Sequence, residues 1–172
     1  MVMIDLITGF LGSGKTTFLK KYAEYLMDQG LHIGILENDF GAINVDMLML
    51  HELRGDQCEL EMIAGGCDAE SHRRRFRTKL ISMRMCGYDR VLVEPSGIYD
   101  VDEFFDVLRE DPLDQWYEIG NVIAILDARL EKNLSQQADY LLASEAANAG
   151  KVILSHADAA TREQCEATVA HL

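Results

Sequence analysis

Apolar residues along this chain follow two rhythms. Short runs rich in Val, Ile and Leu on both faces recur at residues 2–8 (VMIDLIT), 32–36 (HIGIL), 90–94 (RVLVE), 122–127 (VIAILD) and 151–154 (KVIL). Runs of this length and branching predict strands covered by helices on both sides. Between them, apolar positions recur every three or four residues. The stripes are Phe18, Leu19, Tyr22, Ala23 and Leu26, then Phe76, Leu80 and Met83 within a helix from about Ser71 to Met85. Further on come Val101, Phe104, Phe105 and Leu108, then Ala138, Leu142, Ala146 and Ala149, and finally Cys165, Val169 and Leu172. Each stripe predicts one inward helix face. Residues 58–63 alternate polar with apolar and predict a side strand with one solvated face.

Punctuation agrees with these rhythms. Gly30 stops the first helix, because a residue without Cβ takes the left-handed conformation cheaply. Asp100 with Glu103, and Thr161 with Gln164, have the spacing of capping boxes. Strand and helix alternate throughout, which predicts an α/β fold: a doubly wound, mostly parallel sheet with helices on both faces. No repeat, low-complexity tract or linker interrupts it, so residues 1–172 read as a single domain. The chain stops directly after the last helical stripe, so we expect a domain cut from a longer protein.

The junction of the first strand and first helix carries chemistry. Residues 9–17 read GFLGSGKTT, matching G-x-x-x-x-G-K-T between a strand and a helix start. Gly9, Gly12 and Gly14 let the backbone curl so that successive N–H groups point at a phosphate chain. The helix start adds unpaired amides and partial positive charge. Ser13 and Thr17 belong to the same cradle, Lys15 would reach the β- and γ-phosphates, and Thr16 would ligate Mg²⁺. A plain glycine-rich turn is the alternative, and the flanks argue against it.

The strand at 90–94 ends in Glu94-Pro95-Ser96-Gly97. A carboxylate at the end of a buried strand near a phosphate loop is placed to serve Mg²⁺, and Gly97 could offer its N–H to a γ-phosphate. The competing reading is a capping acid followed by a turn.

Composition narrows the setting. The chain has 16 Lys and Arg against 29 Asp and Glu, a net charge of −13, with 48% hydrophobic and 26% charged residues. That balance disfavours sequence-independent nucleic-acid binding, which needs a positive surface. No apolar run approaches the roughly 18 residues a membrane span needs, and no basic segment precedes the first apolar run as in a signal peptide. Cys58, Cys67, Cys86 and Cys165 form no C-x-x-C pair, so a reduced, cytoplasmic location is expected.

Taken together, residues 9–17, Asn38-Asp39-Phe40-Gly41 with Asp46, Gly66-Cys67 and 94–97 resemble the CobW/HypB/UreG family of P-loop GTPases. Glu94 matches that family's Glu at the Mg²⁺-side strand end. The resemblance spans residues 2 to about 158, and the family's usual C-terminal domain has no counterpart here. It implies a GTP- and Mg²⁺-dependent protein acting in metal-centre assembly or as a nucleotide-gated chaperone of client enzymes. It also implies a first switch at 37–46, with Asp39 and Asp46 as candidates for Mg²⁺ or attacking-water contacts, and a possible homodimer.

Two motifs depart from the family pattern. The family's C-x-C-C becomes Cys67-Asp68-Ala69-Glu70 here, with Ser71-His72 following, so Cys67 alone remains of three soft thiolates suited to Zn²⁺. A mixed site with Asp68, Glu70 and His72 is one reading, and a small thiol beside a polar helix start is the favoured one, so tight Zn²⁺ binding is not expected. The family's guanine-reading N-K-x-D becomes Ser155-His156-Ala157-Asp158. Asp158 keeps the reading position, His156 could stack on the base edge, and a plain strand-to-helix loop is the competitor. The basic run 72–77 with Lys79, and the acidic stretch 100–118, read as solvated faces. GTP is the first choice of nucleotide. An ATP-dependent small-molecule kinase or ligase, and a nucleotide-binding partner module that has lost metal handling, remain as alternatives.

Overall fold

The computed structural model describes residues 1–10, 12–39, 45–64, 68–95, 101–130 and 134–172, and for residues 38, 39, 45–47, 64 and 69 the backbone alone. The elements in order are β1 (Val2–Thr8), α1 (Lys15–Asp28), β2 (Ile33–Asp39), α2 (Val45–Leu50), β3 (Cys58–Ala64), α3 (Ala69–Arg84) and β4 (Arg90–Pro95). They continue with α4 (Val101–Leu108), α5 (Leu113–Trp116), β5 (Tyr117–Asp127), α6 (Gln136–Asn148), β6 (Lys151–Ser155) and α7 (Arg162–His171). The described strands form one sheet in the order β3-β2-β4-β1-β5-β6, and every pairing is parallel. The expected doubly wound α/β sheet is the observed fold.

Alternation along each strand divides the core into two layers. Val2, Ile4 and Leu6 of β1 join Val91 and Val93 of β4 beneath α3, α4 and α5, whose Phe76, Leu80 and Phe104 are fully buried. On the opposite face Ile7, Ile33, Ile35, Leu92 and Ile123 pack against Leu19, Ala23 and Leu26 of α1. Each fully buried aliphatic side chain contributes about 1.5–3 kcal/mol. β3 lies at a sheet edge with Cys58 and Leu60 buried and Glu59 exposed, as its alternation predicts.

Several boundaries moved for tertiary reasons. β2 runs on to Asp39 because β3 and β4 hold it from both sides, with Glu37 beside Met62 and Glu94. β5 begins at Tyr117, five residues before its apolar run, and pairs with the start of β1. Its polar segment is held by Asp5, a fully buried side chain of β1. Asp5 accepts from the Asn121 amide at 2.7 Å, from Arg90 Nη1 at 2.7 Å and from the Tyr22 hydroxyl at 2.8 Å. Gly120 makes room for this carboxylate, since any Cβ there would overlap Asp5 Oδ1. The β1–β5 register shifts between Ile4 and Leu6, across Asp5 itself.

α3 begins at Ala69, ahead of the expected Ser71, because Asp68 caps it by accepting from the Ser71 amide at 2.7 Å. The basic run on α3 is not simply solvated. Arg73 and Arg77 both grip Glu110, at 2.6 and 3.0 Å, Lys79 pairs with Glu61, and His72 is buried. The acidic stretch thus supplies a partner to the basic one, a pairing that linear reading cannot see. On α7 the Thr161–Gln164 capping box is present, but the expected inward stripe is corrected. Val169 is 60% exposed and Leu172 48%, while Thr168 is the buried residue and donates to the Ala128 carbonyl at 3.0 Å. α7 is tied to the residue after β5 through Thr168 and to α6 through the His171–Asp139 pair, both polar contacts.

Candidate nucleotide site

β1 turns to the left of the sheet, toward β2, and β5 to the right, toward β6. Ligands in open α/β sheets bind outside the carboxyl ends of strands where the order reverses. The loop after β1 sits at that crevice. Beside it a cleft of about 310 Å³ is lined by Phe10, Gly12 and Ser13 on one side and Leu126, Asp127 and Arg129 on the other.

The loop has the backbone a phosphate cradle requires. Gly9, Gly12 and Gly14 have φ of +141°, +78° and +92°. Gly14 stands at the N-cap of α1 with no side chain capping the helix and no acidic residue in its first turn. Those amides and the helix dipole face the loop. Lys15 is buried and its Nζ donates to the carbonyls of Gly9 at 2.8 Å and Phe10 at 3.1 Å. Ser13 is buried under the loop, whereas Thr17 is exposed on the helix surface.

Thr16 Oγ1 donates to Glu94 Oε1 at 2.8 Å, across 78 residues of sequence. Both side chains are 6% exposed. A strand-end carboxylate and the hydroxyl of the phosphate loop therefore meet. The side chains of Asp39 and Asp46, and Gly97 and Cys67 entirely, lie outside the described residues. Asp39 ends β2, and Asp46 falls in α2.

The Ser155–Asp158 tetrad follows β6 at the same end of the sheet. Ser155 Oγ donates to the Leu126 carbonyl at 3.1 Å, and its Cβ would lie 3.5 Å from a Cβ on Gly14, so the tetrad abuts the phosphate loop. His156 takes φ of +53° and brings Nδ1 to 3.0 Å from Asp127 Oδ2. The Arg129 guanidinium, hydrogen-bonded to Asp127, holds that carboxyl down at about 2. Asp158 is exposed on the turn that follows.

Of the alternative metal ligands, Asp68 and His72 have other partners and Glu70 is exposed. Asp68 gives both oxygens to Ser71, at 2.7 and 3.0 Å, and His72 is buried with Nδ1 3.8 Å from Glu103 on α4. Among the described residues no group of three His, Cys, Asp or Glu side chains gathers as a metal site.

One polar residue at the loop escaped the sequence reading. Glu145 of α6 is 2% exposed and accepts from the Thr8 hydroxyl at 3.1 Å, directly before Gly9. Burial pushes its carboxyl up to about 7, against the opposing pull of the Thr8 hydroxyl and the Lys15 charge. The helical stripe offered only Leu142 and three alanines as inward positions, and a glutamate three residues after Leu142 gave no signal of burial.

A parallel sheet whose first strand feeds such a loop, and whose neighbour brings a carboxylate to the loop's threonine, is a P-loop nucleotide-binding domain. Residues 3–172 match the family model described as CobW/HypB/UreG, nucleotide-binding domain, and the chain belongs to that family. It is 28% identical over 168 residues to the zinc chaperone YeiR of Escherichia coli strain K12, covering 97% of this chain and 50% of that protein. It is 28% identical over 172 residues to the zinc chaperone YjiA of the same strain, covering 92% of this chain and 50% of that protein. The chain thus spans about half the length of these curated relatives.

Among solved structures, the Zn(II)-bound YjiA GTPase from E. coli superposes with a TM-score of 0.60 at 20% identity, covering 99% of this chain and 54% of that one. Hydrogenase maturation factor HypB from Archaeoglobus fulgidus gives 0.59 at 15% identity, over 96% and 74%. At these identities the likeness is one of fold. No helix among the described residues is long and apolar enough to cross a membrane.

Proposed function

We propose that this domain is the nucleotide-driven part of a metallochaperone-type GTPase, binding GTP with Mg²⁺ and hydrolysing it by attack of water on the γ-phosphate. The observation that carries the reading is the Thr16–Glu94 contact of 2.8 Å beside the phosphate loop. A hydroxyl and a carboxylate are hard oxygen donors of the kind Mg²⁺ takes, so these residues fit the ion. When bound, Mg²⁺ would neutralise charge on the β- and γ-phosphates. Lys15 exchanges the neutral Gly9 and Phe10 carbonyls for phosphate oxygens, a stronger charge-assisted bond.

Catalysis in this reading is positioning plus charge stabilisation. Asp39 orients the attacking water, the Gly97 amide contacts the γ-phosphate, Asp46 assists at the Mg²⁺ side, and Asp158 accepts from guanine. Hydrolysis then releases the loops near Asp39 and Gly97 and gates delivery of metal, or remodelling of a client metalloprotein, in the cytoplasm. Turnover of the isolated domain is slow, because no arginine finger is identifiable in the sequence.

Calorimetry with GDP, GTP and ATP in Mg²⁺, with a phosphate-release assay, tests this on the parent and on Lys15→Ala. Guanine nucleotides are expected to bind and slow phosphate release to follow, both lost in the variant. ATP preference would overturn the nucleotide assignment, and binding without any hydrolysis would leave a partner module. The bonding of Asp68 to Ser71 and the pairing of His72 with Glu103 favour that second reading for metal handling alone.

A further inference from the structure

We propose that Glu145 supports the phosphate loop from beneath and takes up a proton from solvent when a phosphate chain enters the loop. The proposal rests on the nucleotide-binding reading above and assigns that site a residue which the phosphate-loop motif does not contain.

The geometry is unusual for a carboxyl group. Glu145 Oε1 has the Thr8 hydroxyl, while Oε2 is buried and, among the described residues, has no hydrogen bond of good geometry, although the Gly9 amide also favours the ionised carboxyl. Thr8 is the last residue of β1 and Gly9 the first of the loop, so the carboxyl lies against the hinge from which the loop springs. An ionised oxygen buried without a partner is costly, and a neutral acid far less so.

The groups facing it can be named element by element. Lys15 and the Gly9 amide act from the loop, and Thr8 from β1. β5 presents buried apolar side chains, Val122 and Ala124 among them. α4 brings Asp102, Asp106 and Arg109 to a cleft at Asn148, toward the end of α6. On α6 itself Asp139 is exposed and pairs with His171. The Lys15 ammonium favours the ionised form of the carboxyl.

A phosphate chain changes this balance in two ways of the same sign. It brings negative charge to the loop, and it draws the Lys15 ammonium from the Gly9 and Phe10 carbonyls toward phosphate oxygens. Both disfavour the ionised carboxylate. With the carboxyl already at about 7 beside Lys15, a change in either near neutral pH moves a measurable fraction of a proton. The proton passes from buffer to the carboxylate, with no covalent step.

GDP binding in Mg²⁺, measured calorimetrically at pH 7 in two buffers of different ionisation enthalpy, tests this on the parent and on Glu145→Gln. Proton changes on the nucleotide itself occur with both forms and cancel in the difference. The parent is expected to take up about half a proton more than the variant. Its affinity relative to the variant should fall about tenfold between pH 6 and 9 for each unit by which binding displaces the group. Equal proton counts from two forms that both bind GDP would overturn the proposal and leave the nucleotide reading intact. Failure of both to bind would remove the two together. Should the variant not fold, the ¹³C carboxyl resonance of Glu145 in the intact parent decides. Its titration midpoint rises with GDP if the proposal holds, and an unmoved midpoint overturns it.

Discussion

Replacing Gly9 by alanine separates two costs that the phosphate loop imposes on its glycines. Gly9 has φ of +141°, and a methyl there would overlap the carbonyl oxygen of Ile125 and lie 2.8 Å from Ser13 Oγ. Gly12, three residues on, has φ of +78° and no atom of the described residues beyond its chain neighbours within 4 Å of the same added atom. An alanine in left-handed space costs about 1–2 kcal/mol at either position. Gly9→Ala adds a collision with the backbone of β5, which cannot rotate away as a side-chain tip would. Overpacking of that kind costs about 1–3 kcal/mol more. Gly12→Ala should therefore lose about 1–2 kcal/mol, and Gly9→Ala about 2–5 kcal/mol. With urea m-values of about 1–3 kcal/mol/M, the two unfolding midpoints should differ by roughly 1 M. Gly9→Ala should also lose GDP binding, because β5 and the loop cannot both keep their places. A Gly9→Ala protein with a midpoint at or above that of Gly12→Ala would refute the reasoning.

Further outcomes follow from other parts of the molecule. Asp5→Ala leaves the Arg90 charge and the Asn121 amide without their shared acceptor, and should cost about 3 kcal/mol or more in urea unfolding; a loss below about 1 kcal/mol would count against the network. Glu145 binds its proton more tightly folded than unfolded, so the stability it contributes is full below about pH 4.5 and is lost as the pH rises through about 7. Glu145→Gln should therefore match the parent near pH 4.5 and exceed it by on the order of 3 kcal/mol above pH 7, and parallel stability profiles would contradict this. Zinc titrated against a chromophoric chelator should show no tight site, and stoichiometric binding abolished by Cys67→Ala would show the reverse.

The sequence alone determined the sheet, the phosphate loop and the family. Those signals are local: an apolar run of four to seven residues, a helical stripe, a glycine pattern between them. β1 was legible to the residue, because both of its boundaries are set by its own composition and by the loop that follows. Thr16 and Glu94 were legible as separate candidates, each from its place at the end of a strand or the start of a helix. Their contact at 2.8 Å was not, since 78 residues of chain separate them.

Tertiary structure decided everything that depends on a distant partner. β5 begins five residues before its apolar core because Asp5 holds Asn121 and Gly120 leaves space for that carboxylate. Arg73 and Arg77 are paired because Glu110 stands across from α3. The stripe on α7 failed because Thr168, bonded to the Ala128 carbonyl, is the residue turned inward, and Val169 and Leu172 stay exposed. Glu145 is the sharpest case: a charged residue on a helix reads as solvated, and only the packing of α6 against Thr8 makes it a buried acid under the phosphate loop. Periodicity records which residues are apolar, whereas burial of a polar group is fixed by what the fold brings against it.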